Sequence, residues 1–330
     1  MINFTENFND LRIDWFTKVS QNANQLKMTS ETYHIPALLQ QSVAGLDIRP
    51  GGVYADVTFG GGGHSREILA HLSDEGRLFG FDRDLDAYAN APRDDKRFTF
   101  VHSDFRYLSN FLHFHGFEKI DGILADLGVS FHHFDSQERG FSFRTDAPLD
   151  MRMNRNGDRS AAEILNNYSR DDLEGLFRAY TDLKRPGLIA SAIVKAREAN
   201  SLTTTGQLAQ AVGPTINPRA EKKDLAQVFQ AIRIEVNGEM EALRSLLEQS
   251  LRVLRPGGRL SVITYHSVED RMVKNFLRSG NVDGHVEKDI FGVTSSPWEV
   301  ITRSPIVPDQ TEIDENPRSR SAKLRIGQLK

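Results

Sequence analysis

The sequence contains no cysteine among its 330 residues. This absence excludes disulfide bonds, a cysteine nucleophile and any metal site built on thiolates, and it is compatible with a reducing compartment. No apolar run approaches the length of a membrane-spanning helix. A basic segment followed by an apolar core is also missing near the N-terminus, so we expect a cytoplasmic protein without a secretory signal.

Neither sign of charge dominates the chain. It has 41 Lys and Arg residues against 45 Asp and Glu residues, which gives a formal net charge of −4. A slightly acidic chain is not expected to bind nucleic acid indiscriminately, although a local basic face is compatible with this total. Hydrophobic residues make up 39% and charged residues 26%, the composition of an ordinary globular protein. The length allows one large α/β domain and a smaller one.

What the chain does contain is a run of glycines at 60–63. A short apolar stretch with Val53, Ala55 and Val57 precedes the run, and a helical pattern begins after it at Ser65. Strand, glycine turn and helix are typical of a nucleotide-type pocket, because glycine lets the backbone approach a ligand and a helix N-terminus offers free N–H donors. A tight turn in any doubly wound fold is the alternative, since the run does not follow the dinucleotide pattern G-x-G-x-x-G.

The next predicted strand, at 76–81, ends at Asp82. An acidic side chain at the end of the second strand can accept hydrogen bonds from both ribose hydroxyls of a nucleoside. NAD and S-adenosylmethionine both contain this ribose. The glycine run and Asp82 together therefore predict an adenosine cofactor without choosing between the two.

The rest of the chain predicts an α/β core with an insertion. Predicted strands at 97–102 and 120–126 continue the alternation of strand and helix that a parallel sheet requires. The alternation then stops, and residues 160–212 have the pattern of successive helices. A set of ordinary crossover helices is the alternative to a separate subdomain. We predict the following division: an N-terminal extension, either a docked helix or a loose tail, over 1–30; a core over 31–145 and 220–330; and an inserted all-helical subdomain over 146–219.

The C-terminal part favours one of the two cofactors. A helical stretch over 223–254 with a break at Gly238 precedes a fifth predicted strand at 259–267. Apolar segments at 298–303 and 322–326 are compatible with a closing antiparallel hairpin. Such a hairpin favours a methyltransferase sheet, whereas a dehydrogenase would need a second substrate domain with a proton donor.

Six blocks in one order resemble the bacterial ribosomal small-subunit RNA methyltransferase H family, also known as MraW. They are DVTFGGGGHS (56–65), DGILADLGVS (121–130), ERGFSF (138–143), PLDMRM (148–153), FQAIRIEVN (229–237) and YHSVEDR (265–271). The resemblance implies an α/β fold of the class I S-adenosylmethionine-dependent methyltransferases, Rossmann-like, doubly wound and mostly parallel. It also implies methyl transfer to the exocyclic N4 amine of one cytidine in the decoding region of 16S rRNA, with the small ribosomal subunit as partner.

The resemblance also carries over cofactor contacts residue by residue. In this sequence they fall on Gly62, Gly63, His64, Asp82, Phe105 and Asp126. Beside Phe105, which can lie against adenine, Asp104 could accept a hydrogen bond from the adenine amine. A further family contact is normally glutamine but is His133 here. Histidine can also form hydrogen bonds, but unlike glutamine it can charge near neutral pH.

For the transfer itself we predict Asp126, Tyr265 and His266 as catalytic residues. Asp126 could accept a hydrogen bond from the cytosine amine or act only on the cofactor. His266 has a structural alternative, because a histidine after a strand is often only hydrogen-bonded. An aromatic side chain could hold the base flat. The candidates for that wall are Phe131, Phe141, Phe143 and Tyr265.

Two other functions stay open from the residues alone: a methyltransferase for DNA or a small molecule, and an adenosine-binding ribosome assembly factor without turnover. No metal site is predicted, since methyl transfer depends on positioning. The oligomeric state is open, a homodimer included. Basic residues could follow an RNA backbone or be ordinary surface charges. They are Arg139, Arg144, Arg152, Arg318, Arg320, Lys323 and Arg325.

Overall fold

The computed structural model describes residues 36–128, 139–154, 157, 159–286 and 296–330. The predicted N-terminal extension over 1–30 lies outside these residues. The described strands form one sheet with the order β3-β2-β1-β4-β5-β7-β6. They are β1 (Val53–Asp56), β2 (Arg77–Asp82), β3 (Phe98–His102), β4 (Ile120–Asp126), β5 (Leu254–Thr264), β6 (Trp298–Val300) and β7 (Lys323–Leu329).

Strands β1 to β5 pair in parallel, and β7 runs antiparallel to both β5 and β6. The chain order reverses beside β1, which is paired with β2 on one side and β4 on the other. In open α/β sheets, ligands bind at this switch point, beyond the carboxyl ends of the strands. The predicted doubly wound sheet with a closing antiparallel hairpin is confirmed, and the fold is that of the class I methyltransferases.

Helices pack on both faces of the sheet. The helices of the described residues are α1 (Leu39–Ala44), α2 (Gly63–His71), α3 (Leu108–Phe114), α4 (Ala161–Asn167), α5 (Arg170–Tyr180), α6 (Pro186–Ala199), α7 (Thr205–Val212), α8 (Glu221–Asn237), α9 (Glu239–Val253), α10 (Ser267–Ser279) and α11 (Gln310–Glu315). Alternate residues of β1 supply the two faces: Val53 and Ala55 pack in the cluster that contains α9, while Tyr54 packs with α1 and α2. A strand buried on both faces explains why β1 appears in the sequence as a nearly continuous apolar run.

The fifth strand differs from its prediction at both ends. It begins at Leu254 rather than at residue 259, because the pairing with β4 shifts register between Ile120 and Gly122 and takes in the Pro-Gly-Gly segment. Such an irregularity lets extra residues of one strand face fewer residues of its neighbour. The strand ends at Thr264, and α10 begins at Ser267.

Helices α4 to α8 share a second hydrophobic core. Ser160, Ser169 and Thr204 begin α4, α5 and α7 as capping boxes, in which the hydroxyl accepts a backbone N–H and an acidic or amide side chain bonds back. We call α4 to α8 with the loop 139–154 the helical unit. Its core includes Phe141 before the predicted insertion and Phe229 after it, so this core extends past both ends of 146–219. None of the described helices is both long enough and apolar enough to cross a membrane.

Candidate active site

The glycine run forms the turn between β1 and α2. The Gly62 N–H donates to the Phe59 carbonyl at 2.7 Å, and Gly62 has a φ of 73°, a left-handed conformation that favours glycine. A Cβ on Gly63 would lie 2.2 Å from Pro36 Cγ, so close packing requires glycine there as well. By contrast, a Cβ on Gly61 would meet no heavy atom of the described residues within 4 Å. The turn therefore presents open backbone at Gly61.

Asp56, the last residue of β1, is a buried carboxyl that the sequence reasoning did not single out. The Ser65 hydroxyl donates to its Oδ2 at 2.7 Å, and the Thr58 N–H donates to its Oδ1 at 3.2 Å. Burial raises the pKa of Asp56, while the nearby His64 ring and these two hydrogen bonds oppose the rise. The carboxyl joins the end of β1 to the first turn of α2 and so fixes the glycine turn. Its only signal in the sequence is its place at the end of an apolar strand.

His64 is buried in the first turn of α2. Its Nδ1 lies 3.9 Å from Asp126 Oδ2. Burial lowers the pKa of His64, and the Asp56 carboxyl acts in the opposite direction. The neutral imidazole is therefore favoured at pH 7. Two of the predicted cofactor residues, His64 and Asp126, thus lie side by side although they belong to different strand ends.

The Asp82 carboxyl group lies at the end of β2 and is held by the backbone. The Gly60 N–H donates to Oδ2 and the Asp84 N–H donates to Oδ1, both at 2.8 Å. Because a carboxylate can accept about four hydrogen bonds, these two do not by themselves saturate it. The contact with Gly60 also shows that the Asp82 carboxyl and the glycine turn lie next to each other. A site that binds a ribose together with the rest of its nucleoside requires this proximity.

Asp104, at the end of β3, is engaged in two ion pairs. Its Oδ2 accepts a hydrogen bond from Arg83 and one from Arg106 Nε at 3.0 Å. The neighbouring Phe105 ring lies 6.0 Å from the Arg83 guanidinium carbon. The predicted adenine-binding residues are therefore side by side at the strand end, with a cationic side chain against both. Sequence reasoning did not identify Arg83.

The Asp126 carboxyl group ends β4, and its side chain is 21% exposed. The Tyr265 hydroxyl, just after β5, donates to Asp126 Oδ1 at 2.7 Å, and the Asp126 N–H donates to Thr58 Oγ1 at 2.6 Å. Burial and the negative charge of Glu269 raise the pKa of Asp126, the tyrosine hydrogen bond lowers it, and the result is a pKa of about 7. This carboxyl can change its protonation state near neutral pH.

His266 occupies a different position from Tyr265, although the two are adjacent in the chain. It is the N-cap of α10, and its Nδ1 accepts the Glu269 N–H at 3.4 Å. The buried Glu269 carboxylate accepts the Tyr265 N–H at 2.9 Å and lies 3.0 Å from His266 Nε2. The contacts of His266 among the described residues are thus those of a helix cap, which is the structural alternative raised above.

The aromatic residues considered for contact with the target base lie in different environments. Phe141 is buried in the core of the helical unit, and Phe143 makes an edge-to-face contact with Phe229 at a centroid distance of 5.5 Å. Tyr265, also described, contacts Asp126 through its hydroxyl. Phe131 and His133 lie outside the described residues.

Two of the basic residues considered for an RNA track are buried. Arg139 donates to Asp84 Oδ2 at 2.9 Å, and Arg325 Nε donates to Asp270 Oδ1 at 2.6 Å. Arg152 forms an ion pair with Asp150. The phosphate-track hypothesis is wrong for Arg139 and Arg325, because each side chain is buried and paired with a carboxylate of this chain.

One cluster of described residues has the composition of a metal site. Glu239, His266 and Glu269 offer ligand atoms within 4.8 Å of one another. Both oxygens of Glu239 already accept hydrogen bonds from Arg233, at 2.9 and 2.8 Å. The arginine neutralises this carboxylate, and we assign no metal to the cluster.

Comparison with known proteins connects this geometry to a family. The model of the MraW methylase family matches residues 31–330. The chain belongs to the MraW methylase family. A family relative from Parabacteroides distasonis, named ribosomal RNA small subunit methyltransferase H, is 57% identical over 297 residues, which cover 90% of this chain and 97% of that protein. Proteins of the same name from Bacteroides thetaiotaomicron and Flavobacterium johnsoniae are 56% and 51% identical, each over 91% of this chain.

Membership of the MraW methylase family confirms the resemblance seen in the six sequence blocks. The relatives are covered almost completely, to 98% and 99% of the Bacteroides and Flavobacterium proteins. The matched region begins at residue 31, so the extension over 1–30 lies outside it.

Proposed function

We propose that the protein transfers a methyl group from S-adenosylmethionine to the exocyclic N4 amine of a cytidine in the decoding region of 16S rRNA. Family membership and the names of its relatives support a methyltransferase acting on small-subunit ribosomal RNA. The observation that carries the finer proposal is the Asp126–Tyr265 pair, a carboxyl and a phenol joined at 2.7 Å beside the glycine turn. A ribosomal RNA substrate is also consistent with a cytoplasmic location.

The cofactor half of the proposal rests on the ends of β1 and β2. Asp82 is positioned to accept ribose hydroxyls, and the open backbone at Gly61 allows the methionine part to approach without a clash. Gly62 is the N-cap of α2, and Gly63 and His64 follow in its first turn. When bound, S-adenosylmethionine supplies a methyl group on a positively charged sulfur. These residues suit such a nucleoside because they combine an oriented carboxylate with glycine backbone that carries no side chain of its own.

The acceptor half rests on the chemistry of an aromatic amine. The N4 lone pair of cytosine is delocalised into the ring, so the nitrogen must pyramidalise as the new N–C bond forms and the S–C bond breaks. The charged Asp126 carboxylate can accept a hydrogen bond from one N–H of the amine and stabilise positive charge that develops on nitrogen. One proton leaves the methylated nitrogen, and Asp126, with a pKa of about 7, can accept it or pass it to water.

Tyr265 has two functions in this proposal. Its hydroxyl fixes one oxygen of Asp126, which orients the other oxygen towards His64, 3.9 Å away. Its ring provides an aromatic face at the end of β5 that can lie against the target base. A base must be single-stranded or turned out of its helix to reach such a site.

The proposal is tested by radiolabelled methyl transfer. Small subunits and naked 16S rRNA from a strain lacking the gene are incubated with the protein and labelled S-adenosylmethionine, then digested to nucleosides for mass spectrometry. We expect label in N4-methylcytidine from 16S rRNA and none with Asp126→Asn. Label in another nucleoside of the RNA would contradict the acceptor that we propose. Cofactor binding without any transfer would favour the assembly-factor alternative.

A further inference from the structure

Arg83 connects four parts of the molecule through one guanidinium group. It directly follows Asp82, and its side chain is only 16% exposed. It donates to Asp104 Oδ2 at the end of β3, and its Nη1 donates to the main-chain oxygen of Asn237 at 3.0 Å. The same Nη1 lies 3.8 Å from Met153 Sδ, and the guanidinium lies against the Phe105 ring. Two of these partners are predicted adenine contacts, and the other two belong to the helical unit.

A second arginine makes the same connection from the outside. Arg106 Nε donates to Asp104 Oδ2 at 3.0 Å, and Arg106 Nη2 donates to the Asn237 oxygen at 3.3 Å. Its side chain is 37% exposed, more than that of Arg83. We call Arg83 and Arg106, with Asp104 and the Asn237 oxygen that they join, the arginine bridge.

The Asn237 end of the bridge is firmly attached to the helical unit. Asn237 ends α8, where unpaired carbonyl groups and the helix dipole favour cations. Its side chain accepts the Met153 N–H at 2.8 Å and donates to the Met151 oxygen at 2.9 Å. Met151 has a φ of 58°, unusual for a residue with a side chain, so these contacts hold a strained loop in place.

Arg139 attaches the same loop to the end of β2. Its guanidinium joins Asp84 to the main-chain oxygens of Arg152 and Met153, the latter two at 2.7 Å. The loop of the helical unit is therefore fastened to the ends of both strands that flank the predicted adenosine site. A ligand at Asp82, Asp104 and Phe105 would contact residues that the bridge already orients.

We propose that the arginine bridge couples cofactor binding to the position of the helical unit, with Arg83 and Arg106 as positioning residues. The inference rests on the proposed function, because it takes S-adenosylmethionine as the ligand at the strand ends. A guanidinium offers up to five donors spread over three nitrogens in one plane, whereas lysine offers three donors from one nitrogen, so lysine cannot reproduce the spacing of these bonds fully. A ligand that favours the bridged arrangement of Asp104 must also favour the docked helical unit, and the linkage is reciprocal.

The experiment compares Arg83→Lys and Arg106→Lys with a matched control, Arg97→Lys. Arg97 is also bonded to a carboxylate, Asp95, and to main-chain oxygens, those of Leu69 and Leu72, but it directly precedes β3, at the end of the sheet opposite to the cofactor site. Hydrogen exchange of the peptides covering 148–153 and 230–237 is measured with and without S-adenosylmethionine, in the absence of RNA. Calorimetry gives the dissociation constant, and thermal unfolding without ligand gives the stability of each variant.

In the wild type we expect the cofactor to slow exchange in both peptides. In Arg83→Lys this slowing should disappear and the cofactor should bind about tenfold more weakly, a typical coupling. In Arg97→Lys the slowing of exchange and the dissociation constant should both equal those of the wild type, even if the melting temperature of this variant is lower. If the cofactor slows exchange in Arg83→Lys as much as it does in the wild type, the inference is overturned. If Arg83→Lys does not fold, Arg106→Lys decides: reduced slowing supports the bridge, and unchanged slowing overturns it. A wild type that binds no cofactor would instead refute the proposed function.

Discussion

The Tyr265 hydroxyl donates a 2.7 Å hydrogen bond to Asp126 Oδ1 across 139 residues of sequence. The two residues meet because β4 and β5 are parallel neighbours, and residues at their carboxyl ends lie at one edge of the sheet. Burial disfavours the charged carboxylate and the hydrogen bond favours it, so that the pKa of Asp126 is about 7. The charge on the predicted acceptor for the cytosine amine thus depends on burial, on the Tyr265 hydroxyl and on the negative charge of Glu269.

Methyl transfer should therefore depend on pH through Asp126. The charged form accepts the amine N–H, so kcat/KM should rise with pH and level off above an apparent pKa near 7. Tyr265→Phe removes the hydrogen bond that lowers the pKa of Asp126, so its profile should shift to higher pH. Tyr107→Phe, at a side chain that is 55% exposed, is the control and should keep the wild-type profile. A flat profile between pH 6 and 8 would exclude titration of Asp126 as the controlling step.

Asp126→Asn should stabilise the protein without its cofactor. The pKa of this carboxyl is raised from 3.8 to about 7 on folding. Its favourable contribution to the free energy of unfolding is therefore complete below pH 4 and is lost as the pH rises through 7. At pH 8 the charged carboxyl costs on the order of 4 kcal/mol, and a neutral amide avoids most of this cost. Urea unfolding should show a gain of a few kcal/mol for Asp126→Asn at pH 8 and little difference at pH 4. Asp94→Asn, at an exposed position, should show neither effect. Equal free energies of unfolding for the wild type and Asp126→Asn at pH 8 would mean that burial of the charged Asp126 carboxylate does not destabilise the protein.

Asp82→Ala should weaken binding of S-adenosylmethionine without unfolding the protein. The variant removes the acceptor proposed for the ribose hydroxyls, and a hydrogen bond to a charged group contributes about 1.5–3 kcal/mol, so the loss of even one such bond should raise the dissociation constant about ten- to a hundredfold. It also leaves the Gly60 and Asp84 N–H groups without this partner, which should lower the melting temperature only slightly since Asp82 is half-buried. Calorimetry measures the affinity, with the exposed Asp74→Ala as control. Unchanged affinity would remove Asp82 from the cofactor site.

Local sequence signals were sufficient for most of the fold and for the strand ends that form the candidate site. The apolar periodicity predicts the helices, two of which begin after the capping residues Ser169 and Thr204, and the parallel arrangement of the strands determines which ends meet. The extended start of β5 was missed because a register shift depends on its partner strand. The roles of Arg83 and Arg139 were missed for a related reason: each depends on carboxylates and carbonyls from distant segments. A pattern of residue types cannot distinguish a buried, paired arginine from one that faces RNA.

Gly61→Ala gives the most direct test of the glycine turn as a cofactor site. Gly61 is exposed, is not in the left-handed region, and has no heavy atom of the described residues within 4 Å of an added Cβ. The free energy of unfolding of the Gly61→Ala variant should therefore stay within about 0.5 kcal/mol of the wild-type value, as for most surface substitutions. Gly63→Ala, next to Pro36, should instead destabilise the fold through steric conflict.

The two variants separate folding from binding. If the methionine part of the cofactor passes over the backbone at Gly61, one added methyl group there should weaken the binding of S-adenosylmethionine about five- to a hundredfold by calorimetry while urea unfolding is unchanged. The reason is that an extra carbon in a well-packed site costs about 1–3 kcal/mol. Wild-type affinity in a stable Gly61→Ala would show that the ligand does not approach the turn, and the open backbone would then have no part in binding it.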